Sequence, residues 1–123
     1  MTTSTQHDLE ARLNDLFDHI RNGRIMDAMN EFYDEHVVMN EPAYGDTVGL
    51  AANLEREQGF VDSVKEFKNF EVVASGVGDN VTFYENVMDW ISQDDQEIHV
   101  EQLVVAKWKD GKIVHERFYY NMG

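Results

Sequence analysis

Cysteine is absent from the 123 residues of this chain. Its absence excludes disulfides, thiolate nucleophiles and cysteine-ligated centres such as zinc fingers and iron–sulfur clusters. Proline occurs once, and no apolar run approaches the roughly 18–20 residues of a membrane-spanning helix. The first residues, Met1 to Leu13, lack a basic region followed by an apolar one, so we expect no signal peptide and a cytoplasmic location.

Positive charge is scarce as well. Lys and Arg together number 10 against 24 Asp and Glu, which gives a formal net charge of −14 at pH 7. Nucleic acid and anionic membranes repel such a chain, so neither is an expected partner. No Lys or Arg occurs from 69 to 106, so the acid excess is concentrated in that part of the chain.

Apolar residues are plentiful enough for a folded core. The hydrophobic content is 42% and the aromatic content 11%, which is typical of a globular chain rather than a disordered one. Domains cluster at roughly 100–150 residues, and no repeat, linker or low-complexity tract interrupts this sequence. We therefore expect a single domain over residues 1–123.

The chain begins with helical periodicity. Thr5 lies three residues before Asp8, which predicts a capping pair at the start of the first helix, and Gly23 predicts its end. The apolar residues between them have the spacing of one helix face; they are Leu9, Leu13, Leu16, Phe17 and Ile20.

Three further elements follow in the first half. A second helical series begins at Ile25, and a short strand is predicted from His36 to Glu41, where Pro42 stops it. The segment 43–47 reads as loop. Leu50 and later apolar residues at helical spacing predict a third helix.

The second half has the composition of β-strands. Runs rich in β-branched and aromatic residues predict strands over Phe67 to Val77, Val81 to Ile91, Ile98 to Trp108 and Ile113 to Tyr120. The connections are too short for parallel crossovers, so these four strands should form an antiparallel meander. The predicted order is α-α-β-α-β-β-β-β, an α+β fold in which the helices cover one face of the sheet.

Side-chain alternation separates the two faces of this sheet. Even-numbered positions from 84 to 120 are mainly apolar, so we place them under the helices. Odd-numbered positions mix charge with aliphatic residues and should face outward. Three polar residues interrupt the inward face, namely Asn86, Gln102 and Glu116. A buried polar group needs a partner or a function, so these three are candidate site residues.

Two segments carry a family resemblance. They are Asn-Glu-Pro at 40–42 and Trp-Lys-Asp-Gly-Lys-Ile-Val-His-Glu-Arg-Phe-Tyr-Tyr-Asn at 108–121. With the order of elements, they resemble the SnoaL-like branch of the nuclear transport factor 2-like superfamily, which also includes ketosteroid isomerases, polyketide cyclases and limonene epoxide hydrolases. The resemblance implies a cone-like curved antiparallel sheet wrapped around the N-terminal helices (a cystatin-like α+β barrel), a pocket between them, and a homodimer through the outer sheet face.

The resemblance also assigns positions. It puts Glu41 where ketosteroid isomerases carry their general-base Asp, and it puts Val104 and Leu16 where they carry an Asp and a Tyr that donate hydrogen bonds to the enolate oxygen. Steroid isomerisation needs both the base and the donors, and here the donors are missing. We therefore expect a different activity.

Glu41 and Glu116 are the predicted catalytic residues. Two carboxyls in one apolar cavity separate in pKa and can serve as base and acid. The plainer alternatives are that Glu41 is a rim residue bonded to loop N–H groups, and that Glu116 pairs with a cation or turns outward at a bulge.

The remaining predicted pocket residues are aromatic, apolar or amide side chains. The plainer alternative is that they are ordinary core. The full set comprises Leu16, Tyr44, Tyr84, Asn86, Met88, Trp90, Gln102, Val104, Phe118 and Tyr120.

A metal site is not predicted. His99, Glu101 and His115 share the outer face, but their spacing is not that of a metal motif, and surface charge explains them. No cofactor is expected. A homodimer would need the basic residues near the chain end to offset the outer-face carboxylates.

The functional prediction is a small-molecule pocket protein. As an enzyme it would act by acid–base chemistry, as an isomerase, cyclase, dehydratase or epoxide hydrolase, on a largely apolar substrate. The alternative is a non-catalytic dimeric module for ligand binding or protein interaction.

Overall fold

A computed structural model of the chain describes residues 6–120. Thr5 of the predicted capping pair and Asn121 of the C-terminal motif lie outside this range. The three predicted helices are confirmed: α1 (Gln6–Arg21), α2 (Ile25–Phe32) and α3 (Leu50–Ser63). Gly23, with φ +73°, occupies the left-handed conformation in the turn between α1 and α2. None of the helices within the described range is long and apolar enough to cross a membrane.

One sheet holds the strands of the described residues in the order β2-β1-β6-β5-β4-β3. The four C-terminal strands pair antiparallel, as predicted, whereas β1 runs parallel to β6, so the sheet is mixed. The α+β prediction is confirmed. The strands are β1 (Tyr33–Glu41), β2 (Gly45–Val48), β3 (Val64–Gly78), β4 (Val81–Ser92), β5 (Glu97–Lys109) and β6 (Lys112–Tyr120).

The prediction of a loop over 43–47 is wrong for its second half. A tight turn after Pro42 returns the chain along β1, with Gly45 opposite Glu41 and Val48 opposite Val38. The segment is short and mostly exposed, so it has no alternation that could signal a strand. The open edge of β1 supplies the hydrogen bonds instead.

The sheet is curved, and the curvature makes room for the helices. Register shifts interrupt the β3–β4 pairing at three places, and each extra residue bends its strand. The helices pack on the inner face, where α1 and α2 contribute Leu13, Leu16, Phe17 and Phe32 to the core.

The predicted assignment of the two faces is confirmed. On β4 and β5 the even-numbered Tyr84, Asn86 and Val104 are buried, while Phe83 and Leu103 are exposed. In β6 a register shift next to Trp108 places Ile113 opposite it and buries Ile113 in place of Val114. The alternation then resumes.

Candidate functional site

A cavity of about 570 Å³ lies between the helices and the inner face of the sheet. Its wall is mostly apolar and aromatic, with contributions from α1, α2, α3 and five strands. Eight of the ten predicted pocket residues line it: Leu16, Tyr44, Tyr84, Met88, Trp90, Gln102, Phe118 and Tyr120. A cavity of this size falls within the range of small-molecule sites.

Asn86 and Val104, which the sequence analysis placed among the pocket residues, do not line the cavity. Both are fully buried on the inner face of the sheet. Asn86 Oδ1 accepts a hydrogen bond from Gln102 Nε2 at 3.3 Å, so Asn86 supports a wall residue from below. Alternation identifies the face on which a side chain lies, but it cannot tell the wall of a cavity from the packed core.

Glu41 lies on the cavity wall at the end of β1, as its position before Pro42 predicts. Its carboxylate forms an ion pair with Arg56 of α3, and its Oε1 accepts a hydrogen bond from the Tyr120 hydroxyl at 3.1 Å. The side chains of the pair are only 15% and 17% exposed, so little water competes for either charge. Both carboxylate oxygens of Glu41 are therefore already engaged.

Asn53 anchors the start of α3 and with it Arg56. Its buried side-chain amide donates to the carbonyl oxygens of Thr47, at 3.0 Å, and Gly49, at 2.8 Å. Its Oδ1 accepts from Arg56 Nη2 at 3.4 Å. The guanidinium also lies 5.6 Å from the centre of the Tyr44 ring, within reach of a cation–π contact.

Glu57, the residue after Arg56, is a second carboxyl on the cavity wall. Burial raises its pKa to about 7; the Arg56 charge opposes that shift and the Glu41 charge adds to it. None of the hydrogen bonds among the described residues reaches its carboxyl. Glu57 is thus a carboxyl in an apolar setting that changes protonation near neutral pH.

Glu116 lies on the inner face, as predicted, but beneath the wall rather than on it. It is 0% exposed, and its Oε1 is 2.6 Å from the hydroxyl oxygen of Tyr33, which does line the cavity. Its Oε2 has no partner among the described residues. Burial raises the pKa of Glu116 to about 8, against the effect of the Tyr33 hydrogen bond.

The tyrosines around these carboxyls stay protonated at neutral pH. Burial raises the pKa of Tyr33 and Tyr84 well above the usual value, and the Glu116 charge adds to both shifts. The pKa of Tyr120 rises to about 12, first through burial and then through Glu41. The cavity therefore offers hydroxyl donors rather than phenolates.

Sequence reasoning missed Arg56, Glu57 and Tyr33. The two α3 residues look like the solvated face of a helix, and their approach to Glu41 depends on how α3 packs. Tyr33 also points inward, but the sequence does not signal this, because a register shift lies between Tyr33 and Val38 and Glu35, which has the same parity, is exposed.

The outer-face histidine His99 is hydrogen-bonded to two carboxylates. His99 is 2.6 Å from Asp89 and 3.0 Å from Glu101, and these hydrogen bonds, that of Glu101 first, raise its pKa. In the described part of the chain no group of His, Asp and Glu could hold a metal ion.

A family model for a SnoaL-like domain matches residues 4–120 of the chain. A search of curated proteins found no match to this chain. Similar solved structures include a protein provisionally named a SnoaL-like polyketide cyclase from Mesorhizobium loti, with a TM-score of 0.79 at 17% identity, covering 91% of this chain and 98% of that one. A nuclear transport factor 2-like protein of unknown function from Burkholderia xenovorans has a TM-score of 0.76 at 19% identity, covering 97% and 87%.

A third similar structure is that of SalBIII, an epoxide hydrolase/cyclase-like enzyme described as having a role in pyran ring formation in the polyether salinomycin. Its TM-score is 0.81 at 14% identity, covering 98% of this chain and 95% of that one. At these identities the likeness shows the fold alone.

Proposed function

Because the chain belongs to the SnoaL-like domain family, we propose that it binds a largely apolar small molecule in its cavity and transforms it by acid–base chemistry without a cofactor. The observation that carries the proposal is Glu57, a carboxyl on an apolar cavity wall whose pKa is raised to about 7. A general base works best when its pKa lies near the working pH.

We assign the role of general base to Glu57 rather than to Glu41, which the sequence analysis favoured. A base must have a free oxygen to take up a proton. Glu41 uses one oxygen for Arg56 and the other for Tyr120, so both oxygens are already occupied. Glu57 has no hydrogen bond to lose among residues 6–120, and burial destabilises its charge, so proton transfer to it is favoured.

The Glu41–Arg56 pair is proposed to receive the polar end of the substrate. It marks the charged end of a cavity whose other lining is mainly apolar, including Phe70, Met88 and Trp90. Such a wall suits a hydrocarbon body that carries few oxygens. An isomerisation, an aldol-type cyclisation, a dehydration or an epoxide opening would each use a base in this position.

The base can be tested before the substrate is known, with the Kemp elimination of 5-nitrobenzisoxazole. A base removes the proton on carbon, the nitrogen–oxygen bond breaks, and the coloured cyanophenolate is released, so absorbance reports the rate. We expect the chain to accelerate this reaction and Glu57→Gln to reduce kcat/KM by at least about tenfold.

Glu66→Gln is the control, because Glu66 is an exposed carboxylate on β3 that does not line the cavity. It should leave the rate unchanged. A rate for Glu57→Gln equal to that of the unaltered chain would remove Glu57 from the mechanism. A rate for the unaltered chain equal to that of buffer would overturn the acid–base proposal.

The second candidate function, a dimeric binding module, has its own observation. Three large apolar side chains are exposed on the outer face of β4, β5 and β6, namely Phe83, Leu103 and Tyr119, at 40%, 40% and 46%. Leu103 and Tyr119 are direct cross-strand neighbours. We propose that this patch joins two copies of the chain. Light scattering that finds only monomers at micromolar concentration would exclude the dimer.

A further inference from the structure

The buried pair of Tyr33 and Glu116 is not used by the base proposed above. The two side chains come from neighbouring parallel strands, β1 and β6, and their oxygens are 2.6 Å apart. Tyr33 lines the cavity, whereas Glu116 has no exposed surface. Tyr33 therefore stands between Glu116 and any bound molecule.

The surroundings of Glu116 favour its neutral form. An ionised carboxylate with one oxygen unpartnered and no exposed surface would be strongly destabilised. No salt bridge pairs it with a cation in the described part of the chain; Arg56 is committed to Glu41. In the hydrogen bond as it stands, the Tyr33 hydroxyl donates to Glu116 Oε1. A neutral carboxyl has an O–H of its own, so at this short distance the direction can reverse and Glu116 can donate to the Tyr33 oxygen.

When Glu116 is the donor, the hydroxyl hydrogen of Tyr33 is released from the pair. The hydroxyl can then turn toward the cavity and donate to an oxygen of a bound molecule. Because burial raises the pKa of Tyr33, the hydroxyl keeps this hydrogen until an oxygen of the bound molecule gains negative charge. The pair thus has the two properties of a proton-delivering group, a held proton and a path to the cavity.

We propose that Tyr33 is the catalytic acid of this site and that Glu116 is its positioning residue, which replaces the proton that Tyr33 gives up. The inference rests on the proposed function, because it supplies the acid that complements Glu57. The substrate class that follows is one whose reacting bond ends on an oxygen that gains negative charge, such as a carbonyl, an epoxide or a leaving hydroxyl.

The proton transfers balance. Glu57 takes a proton from substrate carbon, and the electron pair of that bond moves through the substrate to the oxygen. The Tyr33 proton moves to this oxygen as the Glu116 proton moves to Tyr33. After the product leaves, water in the cavity takes the proton from Glu57. Water also gives a proton to Tyr33 as Tyr33 returns one to Glu116, so no other reactant is needed.

The experiment uses two benzisoxazoles that differ in their leaving oxygen. The 5-nitro compound releases a weakly basic phenolate that needs little protonation, whereas unsubstituted benzisoxazole releases a more basic one. If Tyr33 delivers a proton, Tyr33→Phe should change kcat/KM less than about threefold for the nitro compound and by about tenfold or more for the unsubstituted one. Glu116→Gln should show the same trend with a smaller effect.

Tyr84→Phe is the matched control, since Tyr84 is also a buried tyrosine on the cavity wall but has no hydrogen bond to Glu116. Its effect, whatever its size, should be equal for the two compounds. An equal effect of Tyr33→Phe on both compounds would overturn the acid role of Tyr33 and leave Glu57 standing. Absence of any rate above buffer in the unaltered chain would overturn the inference together with the proposed function.

Discussion

The neutral state of Glu116 has a consequence for stability that can be measured without a substrate. In the unfolded chain this carboxyl should have its ordinary pKa of 4.5, whereas burial raises its pKa in the folded chain to about 8. Between these values the folded state holds a proton that the unfolded state has lost. The folded state is therefore destabilised progressively as the pH rises from about 4.5 to about 8, and its stability contribution is fully present only below that window.

The size of the effect follows from the two pKa values. Each tenfold difference in proton affinity corresponds to about 1.4 kcal/mol, so the full window corresponds to about 4 to 5 kcal/mol. Relaxation around a newly charged buried group reduces this figure. A loss of at least about 2 kcal/mol is the expected lower bound, which is a large part of the stability of a small domain.

The perturbation is Glu116→Gln, which keeps the volume and a hydrogen-bonding group for Tyr33 but cannot ionise. The assay is urea unfolding of both chains at several values between pH 5 and pH 8.5, followed by tryptophan fluorescence and circular dichroism. All other titrating groups are common to the two chains, so the difference in unfolding free energy isolates Glu116.

We expect Glu116→Gln to gain stability relative to the unaltered chain as the pH rises through this range. The difference should change steeply between pH 5 and pH 7.5 and level off above about pH 8, with a total shift of about 2 kcal/mol or more in favour of the variant. A difference that stays constant from pH 5 to pH 8.5 would refute the neutral, buried state of Glu116 and with it the basis for an acid relay.

Three further predictions follow from other parts of the molecule. The Kemp elimination rate should rise with pH through about 7 as Glu57 ionises, and a pH–rate profile that is flat from 5.5 to 8.5 would contradict the assignment of this base. Asn53→Ala should cost about 1–3 kcal/mol in urea unfolding because it removes the donor to two carbonyls, whereas Gln58→Ala, on the exposed side of the same helix, should stay within about 0.5 kcal/mol. Leu103→Glu should shift a dimer to monomer in light scattering with unchanged helix and strand content; a dimer that persists would locate the interface elsewhere.

Elements that depend on local sequence were predictable, and those that depend on neighbouring elements were not. Helices α1 and α2 and the four long strands were predictable because apolar spacing and β-branched composition are local properties of the chain. The inward position of Glu116 was predictable because alternation carries along a strand. The strand β2 was not, since its pairing comes from the edge of β1 and not from its own residues.

The candidate site divides in the same way. Glu41 could be found from its parity and from Pro42, but its ion pair with Arg56 could not, because the pair depends on the angle at which α3 crosses the sheet. Glu57 was overlooked for the same reason. On a helix with a weak apolar stripe, a charged residue that faces a cavity has the same sequence signature as one that faces water.

By itself, the sequence determined the order of elements and the two faces of the sheet. It also determined that most acidic side chains in 69–106 lie on the outer face of the sheet or in turns. Spacing along a single strand or helix sets all of these properties. Tertiary structure alone decided which polar groups meet. Tyr33 and Glu116 are 83 positions apart and come together only because β1 lies parallel to β6, with a register shift between Tyr33 and Val38. Tertiary burial also decides the protonation state of Glu57 and Glu116, since the free energy of a charge depends on the water and the partners that the fold leaves around it.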